Sequence, residues 1–217
     1  MRCGFALLIG FACCGPVAAV AHPHVFIDAT IEVIFDAEGR AEAVRIGWKY
    51  DSLFSMTYVA EQGLDPDFDG ELTPEEEAAL AGFDMDWHAE FAGDTYALLG
   101  EVPLALSRPQ EPTAEYRDGS LISTHLRRLA EPVVMGAEDL VVQVYDPSFY
   151  TSYLIADTPV LTGADGCRVQ VYEPDREAAD ARLQAALDEL AGGEDAESEF
   201  PAIGSAYAEE ARITCAR

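Results

Sequence analysis

Val25-Phe-Ile-Asp-Ala-Thr-Ile-Glu-Val-Ile-Phe35, then Asp36-Ala-Glu-Gly39, then Ala43-Val-Arg-Ile-Gly-Trp-Lys-Tyr50 is the stretch on which the fold turns. The first run is rich in β-branched residues with partial alternation, the middle holds turn residues with a glycine, and the third alternates again. That pattern predicts a β-hairpin with a Gly-containing loop. On its C-terminal side the period changes. Asp51 or Ser52 can cap a helix reaching about Leu64, with Leu53, Met56, Val59 and Ala60 on one side. Thr73-Pro-Glu-Glu76 opens a second helix, with proline in its first turn, that runs toward Phe91 at most.

From Tyr96 the strand pattern returns. Tyr96 to Ser107, Ala114 to Tyr116, Leu121 to Leu129, Leu140 to Tyr145 and Arg168 to Tyr172 are separated by turns bearing Pro and Gly. Asp175 to Ala191 is an amphipathic helix, with Ala179, Leu183, Leu187 and Leu190 on one face and Gly192-Gly193 to end it. Glu194 to Glu199 is an acidic connector, and Ala211 to Cys215 a last short strand. The order strands, helix pair, strands, helix predicts an α+β domain: a mostly antiparallel sheet or sandwich, an inserted helix-loop-helix at about 51–91, and a C-terminal helix.

The residues before the hairpin fix the expected compartment. Met1-Arg2 supplies a positive start, Phe5 to Cys14 is apolar but too short to span a bilayer, and Ala19-Val20-Ala21 is an A-x-A cleavage site. Residues 1–21 therefore read as a signal peptide, and 22–217 as one exported domain in the periplasm without stable membrane insertion. Cleavage leaves Cys167 and Cys215, a pair expected to form a disulfide in an oxidising compartment. The formal net charge of -27 repels nucleic acid and anionic lipid and attracts cations, so nucleic-acid binding is set aside.

Between the two predicted helices lies Asp65-Pro-Asp-Phe-Asp-Gly-Glu-Leu-Thr-Pro-Glu-Glu76. Calcium takes six to eight oxygens, and this spacing matches D-x-D-x-D-G-x5-E in full. Asp65, Asp67 and Asp69 fall at loop positions one, three and five, and Gly70 at the sharp turn. Glu71 offers its carbonyl at seven, Thr73 stands at nine, and Glu76 is the bidentate carboxylate at twelve. Leu72 is the apolar residue that pins the loop to the core. Phe68 is bulky for its position, and Glu77 stands where an apolar residue usually follows. An unpaired EF-hand outside the cytoplasm is expected to bind Ca²⁺ weakly, at about 10⁻⁴ to 10⁻³ M, in a structural role.

Cleavage after Ala21 would expose His22-Pro23-His24. The α-amino group and two imidazoles are ligands for Zn²⁺, Ni²⁺, Co²⁺ or Cu²⁺. Pro23 has no amide N–H to surrender, which blocks the amino-terminal copper/nickel mode. His22 and His24 would then need help from His88, His125 or a carboxylate such as Asp28. No G-x-S-x-G or H-E-x-x-H is present, so the chain does not read as an enzyme, with a copper oxidase as the residual alternative.

Ala21-His-Pro-His-Val-Phe-Ile-Asp28, Trp48-Lys-Tyr-Asp51, Phe54, the acidic loop, Tyr145-Asp-Pro-Ser-Phe-Tyr150 and Cys215 together resemble a bacterial domain-of-unknown-function family. It is described as the periplasmic component of an uncharacterised ABC-type transport system. The likeness covers nearly the whole mature chain. It implies association with a nickel/cobalt-type membrane permease and transition-metal handling, carried only by His22 and His24. The chain is too short and too β-rich for a two-lobed solute-binding protein. The expectation is a calcium-binding accessory protein for a membrane metal permease, the alternative being a calcium-stabilised interaction module with no transition-metal role.

Overall fold

The computed structural model describes residues 23–190 and 201–216; the stretch read as a signal peptide, His22, Gly192-Gly193 and the stretch read as an acidic connector lie outside them. The hairpin forms as read. β1 (Val25–Phe35) pairs antiparallel with β2 (Arg40–Tyr50), Ile31 opposite Ile46 and Ala29 opposite Trp48. Asp36 organises the turn by accepting the Arg40 N–H and the Arg40 guanidinium, which holds its carboxyl below the usual range. Gly47 is obligatory in the ladder, because a Cβ there would meet the Thr30 hydroxyl at 2.4 Å.

Around the hairpin a first sheet grows in the order β5 (Gln110–Arg117), β6 (Ser120–Val134), β2, β1, β8 (Thr151–Ile155), with β9 (Val160–Thr162) also on β1. Both β8 and β9 run parallel to β1, so the sheet is not wholly antiparallel. A second sheet has the order β10 (Cys167–Tyr172), β11 (Glu210–Cys215), β7 (Leu140–Val144), β3 (Thr95–Leu99), β4 (Val102–Leu104). The core is built from Ile27, Ala29, Ile31 and Val33 of β1, Ile46 and Trp48 of β2 and Leu121 of β6. Leu140 and Val142 of β7 and Ile213 of β11 complete it from the second sheet.

This overturns the α+β expectation. The protein is mostly β, 43% strand against 19% helix in two sheets. The reason is burial. α1 (Ser52–Glu61) buries only Ser55 and Val59, leaving Leu53 72% exposed and Met56 53% exposed, so the apolar side read from sequence is not a core face. α2 (Pro74–Ala79) buries nothing. α3 (Arg176–Leu190) buries Ala179 and half-buries Leu183 and Leu187. Two sheets that cover each other's apolar faces need no helical layer.

Cys167 and Cys215 are disulfide-bonded, directly opposite each other on β10 and β11. Closing 48 residues in this way restricts the unfolded chain and stabilises the fold by about 4 kcal/mol on the chain-entropy model.

Candidate metal centre

α1 is tied to the hairpin by one side chain. Asp51 caps the helix by accepting the Phe54 N–H, and its other oxygen accepts the Phe26 N–H of β1. Ser55 repeats the tie, donating to the Asp51 carbonyl and accepting the Leu121 N–H of β6. The helix ends three residues short of the acidic loop, and Gln62 to Leu64 intervene, with Gly63 at φ 68°. A full EF-hand helix would run closer to its first ligand, so this entry is looser than the sequence predicts.

The loop is nonetheless wound around Asp65. Its carboxylate is 9% exposed and accepts the Asp69 N–H at 3.0 Å and the Gly70 N–H at 3.1 Å. Asp69 accepts the Glu71 N–H at 2.9 Å. Gly70 takes φ 81°, the left-handed turn that the sixth position was expected to need. Leu64 and Leu72 pack against the core and anchor both sides of the turn. One carboxylate oxygen from each of Asp65, Asp67 and Asp69 lies within 4.8 Å of the others. Three like charges this close repel, and a divalent cation relieves the repulsion.

Glu76 is not poised as a ligand. Its Oε2 accepts the Thr73 N–H and hydroxyl, both at 2.8 Å, in a capping box that starts α2. Ligation by Glu76 would exchange that cap for the ion. Phe68 adopts φ 57° and is 84% exposed, so its bulk points to solvent and does not crowd the loop.

Among the described residues, His24, His88 and His125 are not brought together. His24 is exposed just before β1, donates its backbone N–H to the Tyr150 carbonyl at 2.8 Å, and packs at a tilt against the Tyr150 ring, the centroids 4.8 Å apart. Tyr150 is held by the turn that Asp146 makes, accepting from Ser148 and from the Thr151 N–H. Gly204 closes against that turn, where a Cβ would strike the Asp146 carbonyl. His88 is exposed in an irregular segment after α2, not in a helix as expected, and faces Glu90. His125 is 0% exposed, inside the sandwich. Among the described residues only the three aspartates form a group of three or more metal-type ligands within reach of one another.

That geometry and the chain's sheet order can now be set beside known families. The family model of DUF1007, a protein of unknown function, matches residues 7–215. The chain belongs to that family. No curated protein matches it.

In this DUF1007 chain the interior holds a second polar cluster that the sequence reading missed. On β6, Ser123, His125 and Arg127 share the inward face with Leu121 and Leu129. Asp84, from the segment after α2, accepts from the Tyr50 hydroxyl at 2.9 Å and from the Ser123 hydroxyl. Asp94, also buried, accepts from the Tyr153 hydroxyl at 2.9 Å. Burial raises both carboxyl pKa values, that of Asp94 to about 7, against the lowering influence of those hydroxyl donors. Burial and the nearby Arg127 push His125 down to about 3, so its ring is neutral. Arg127 donates to the carbonyls of Ala92 and Ser107 and lies over the Trp87 ring. The only trace of this cluster in the sequence is the polar inward face of an otherwise apolar strand. Its partners come from residues some thirty to sixty positions away, which periodicity does not reveal.

Proposed function

We propose that this protein is an exported calcium-binding accessory protein that handles a divalent transition metal for a membrane transporter. The observation that carries the calcium half is the convergence of Asp65, Asp67 and Asp69 around a left-handed glycine, with carboxylate oxygens within 4.8 Å of each other. The ligand set is Asp65, Asp67, Asp69, the Glu71 carbonyl, Thr73 directly or through water, and Glu76 after release from its cap. The separate, short α1 and α2 favour a structural clip over a sensor, since neither buries an apolar face that calcium would expose. Export and the His22-Pro23-His24 terminus support the transport half, with the permease as partner.

Calorimetric titration with Ca²⁺ tests the first half. The expected Kd is about 10⁻⁴ to 10⁻³ M, abolished by Asp65→Asn. Absence of heat at about 10 mM free Ca²⁺ would sink the loop assignment.

A second reading, a calcium-stabilised interaction module without transition-metal chemistry, is favoured by one contact. His24 is engaged with Tyr150 through both backbone and ring, as a packing residue would be. The two readings separate on the double variant His22→Ala/His24→Ala. Loss of Ni²⁺ or Co²⁺ binding supports the transport role, and unchanged binding supports the module.

A further inference from the structure

Five buried side-chain atoms among the described residues have no hydrogen-bond partner in the protein: Trp48 Nε1, Asp84 Oδ1, Thr95 Oγ1 and both ring nitrogens of His125. Buried polar atoms are nearly always paired, and each exception calls for a partner. Four of these five belong to Trp48, His125 and Asp84, which are linked through shared neighbours on the inward face of β6. Trp48 lies directly opposite Ser123 in the β2–β6 ladder, and the His125 ring packs edge-on against Trp48 at 4.8 Å. Asp84 reaches the same inward face of β6, its Oδ2 held by Ser123 and Tyr50, which leaves Oδ1 with its lone pairs unspent. Trp87 closes the cluster over His125 at 5.2 Å, its own N–H fixed on the Asp84 carbonyl.

We propose that His125 and Asp84 form an interior site for one first-row divalent cation, distinct from the calcium loop. The donor set is a ring nitrogen and a carboxylate oxygen, the combination suited to Zn²⁺, Co²⁺ or Ni²⁺ and not to calcium. The pair already has the orienting contacts that such ligands need: two hydroxyls position the Asp84 carboxylate, and two indoles fix the imidazole plane. The charge balance asks for a cation as well. Asp94 is buried and Asp84 half-buried with its Oδ1 out of reach of solvent, Tyr153 connects Asp94 to the Trp48 ring, and no basic group forms an ion pair with either carboxylate among the described residues. Arg127 spends its donors on backbone carbonyls. Binding draws Oδ1 and a ring nitrogen onto the ion, with waters completing the coordination. The segment between α2 and β3, which supplies Asp84 and Trp87 without regular structure, is the route of entry. The proposal does not depend on the calcium loop or on the amino-terminal histidines.

The chain contains two tryptophans, and both flank His125, so indole emission reports on this site alone. Protein stripped with EDTA and reloaded with calcium is titrated with Co²⁺ while tryptophan emission and visible absorption are recorded. The expected result is saturable quenching that ends at one equivalent and is reversed by Zn²⁺. His125→Gln should abolish it and Asp84→Asn should weaken it at least about tenfold, as loss of a ligand does. His22→Ala/His24→Ala and Asp65→Asn should leave it intact. The proposal is overturned if quenching is absent at one equivalent, the result expected of an interior holding only water. It is equally overturned if Zn²⁺ fails to reverse the quenching, if His125→Gln retains it, or if the amino-terminal variant loses it. Should His125→Gln fail to fold, the stoichiometry and the Zn²⁺ reversal in the unaltered protein still decide the matter.

Discussion

Two groups of aspartates in this molecule face opposite physical problems. Asp65, Asp67 and Asp69 crowd together in a loop open to water, where solvent screens their charges and backbone N–H groups satisfy the most buried of them. Asp84, half-buried against the inward face of β6, and Asp94, buried, are each held by tyrosine or serine hydroxyls and, among the described residues, by no basic side chain. The first group is assembled by sequence spacing. The second is assembled by tertiary packing, and its protonation is coupled to folding. The comparison shows that carboxylate number and net charge say little about a site; what surrounds each carboxylate decides what it can hold.

The largest expected effect tests whether the interior cluster is integral to the core. Trp48→Ala should destabilise the protein by about 3–5 kcal/mol in urea unfolding, since it removes a buried indole that touches His125, Trp87 and Tyr153. A loss below about 1 kcal/mol would mean that the cluster is loosely packed.

Next comes the pH dependence, measured in metal-free buffer. Asp94 has its folded-state pKa raised to about 7, so its contribution is fully present below the unfolded value near 3.9 and is lost as pH rises toward 7. His125 has its folded-state pKa lowered to about 3, so its contribution is present above the unfolded value near 6.5 and is lost as pH falls toward 3. Between pH 4 and 6 the two slopes oppose each other. Asp94→Asn should leave stability rising with pH and His125→Gln should leave it falling, each by up to about 3 kcal/mol across that range. Unfolding curves of equal pH slope in the two variants would break the assignment of buried charge.

The exposed group should answer to calcium instead. At about 10 mM Ca²⁺ the loop should stabilise the protein by about 1.4–2.7 kcal/mol for the expected affinity, and Asp65→Asn should remove the gain. The same ion should displace Glu76 from Thr73, visible as a change in the Thr73 amide resonance. At the small end, Phe68→Ser should change stability by less than about 0.5 kcal/mol, because the ring is in solvent. A larger loss would show that the loop folds back on itself.

The two regions were also unequally legible. The hairpin, and β7, β10 and α3 within a residue at each end, followed from period and turn chemistry, because each is a local pattern, whereas β6 runs five residues beyond the expected Leu129. The acidic-loop spacing is local too: Gly70 takes the left-handed turn and Leu72 packs against the core. β8 and β9 escaped because they are short and make parallel pairs with β1 more than a hundred residues away. The helices were seen but overvalued: sequence marks where a helix can start, as Asp51 and Thr73 do, and not whether its apolar side meets anything. Trp48 of β2, His125 of β6, and Asp84 and Asp94 of the segment before β3 come from three separate parts of the chain, so nothing in the one-dimensional pattern joins them.

The position of β11 has a temporal meaning. It is the last of the eleven strands to leave the ribosome, yet it lies between β10 and β7, with a neighbour on each side. The second sheet therefore stays split until residue 215 has been synthesised, and the apolar face of the first sheet has no complete cover before then. Completion of the second sheet is thus deferred to the arrival of β11, the same event that sets Cys215 opposite Cys167.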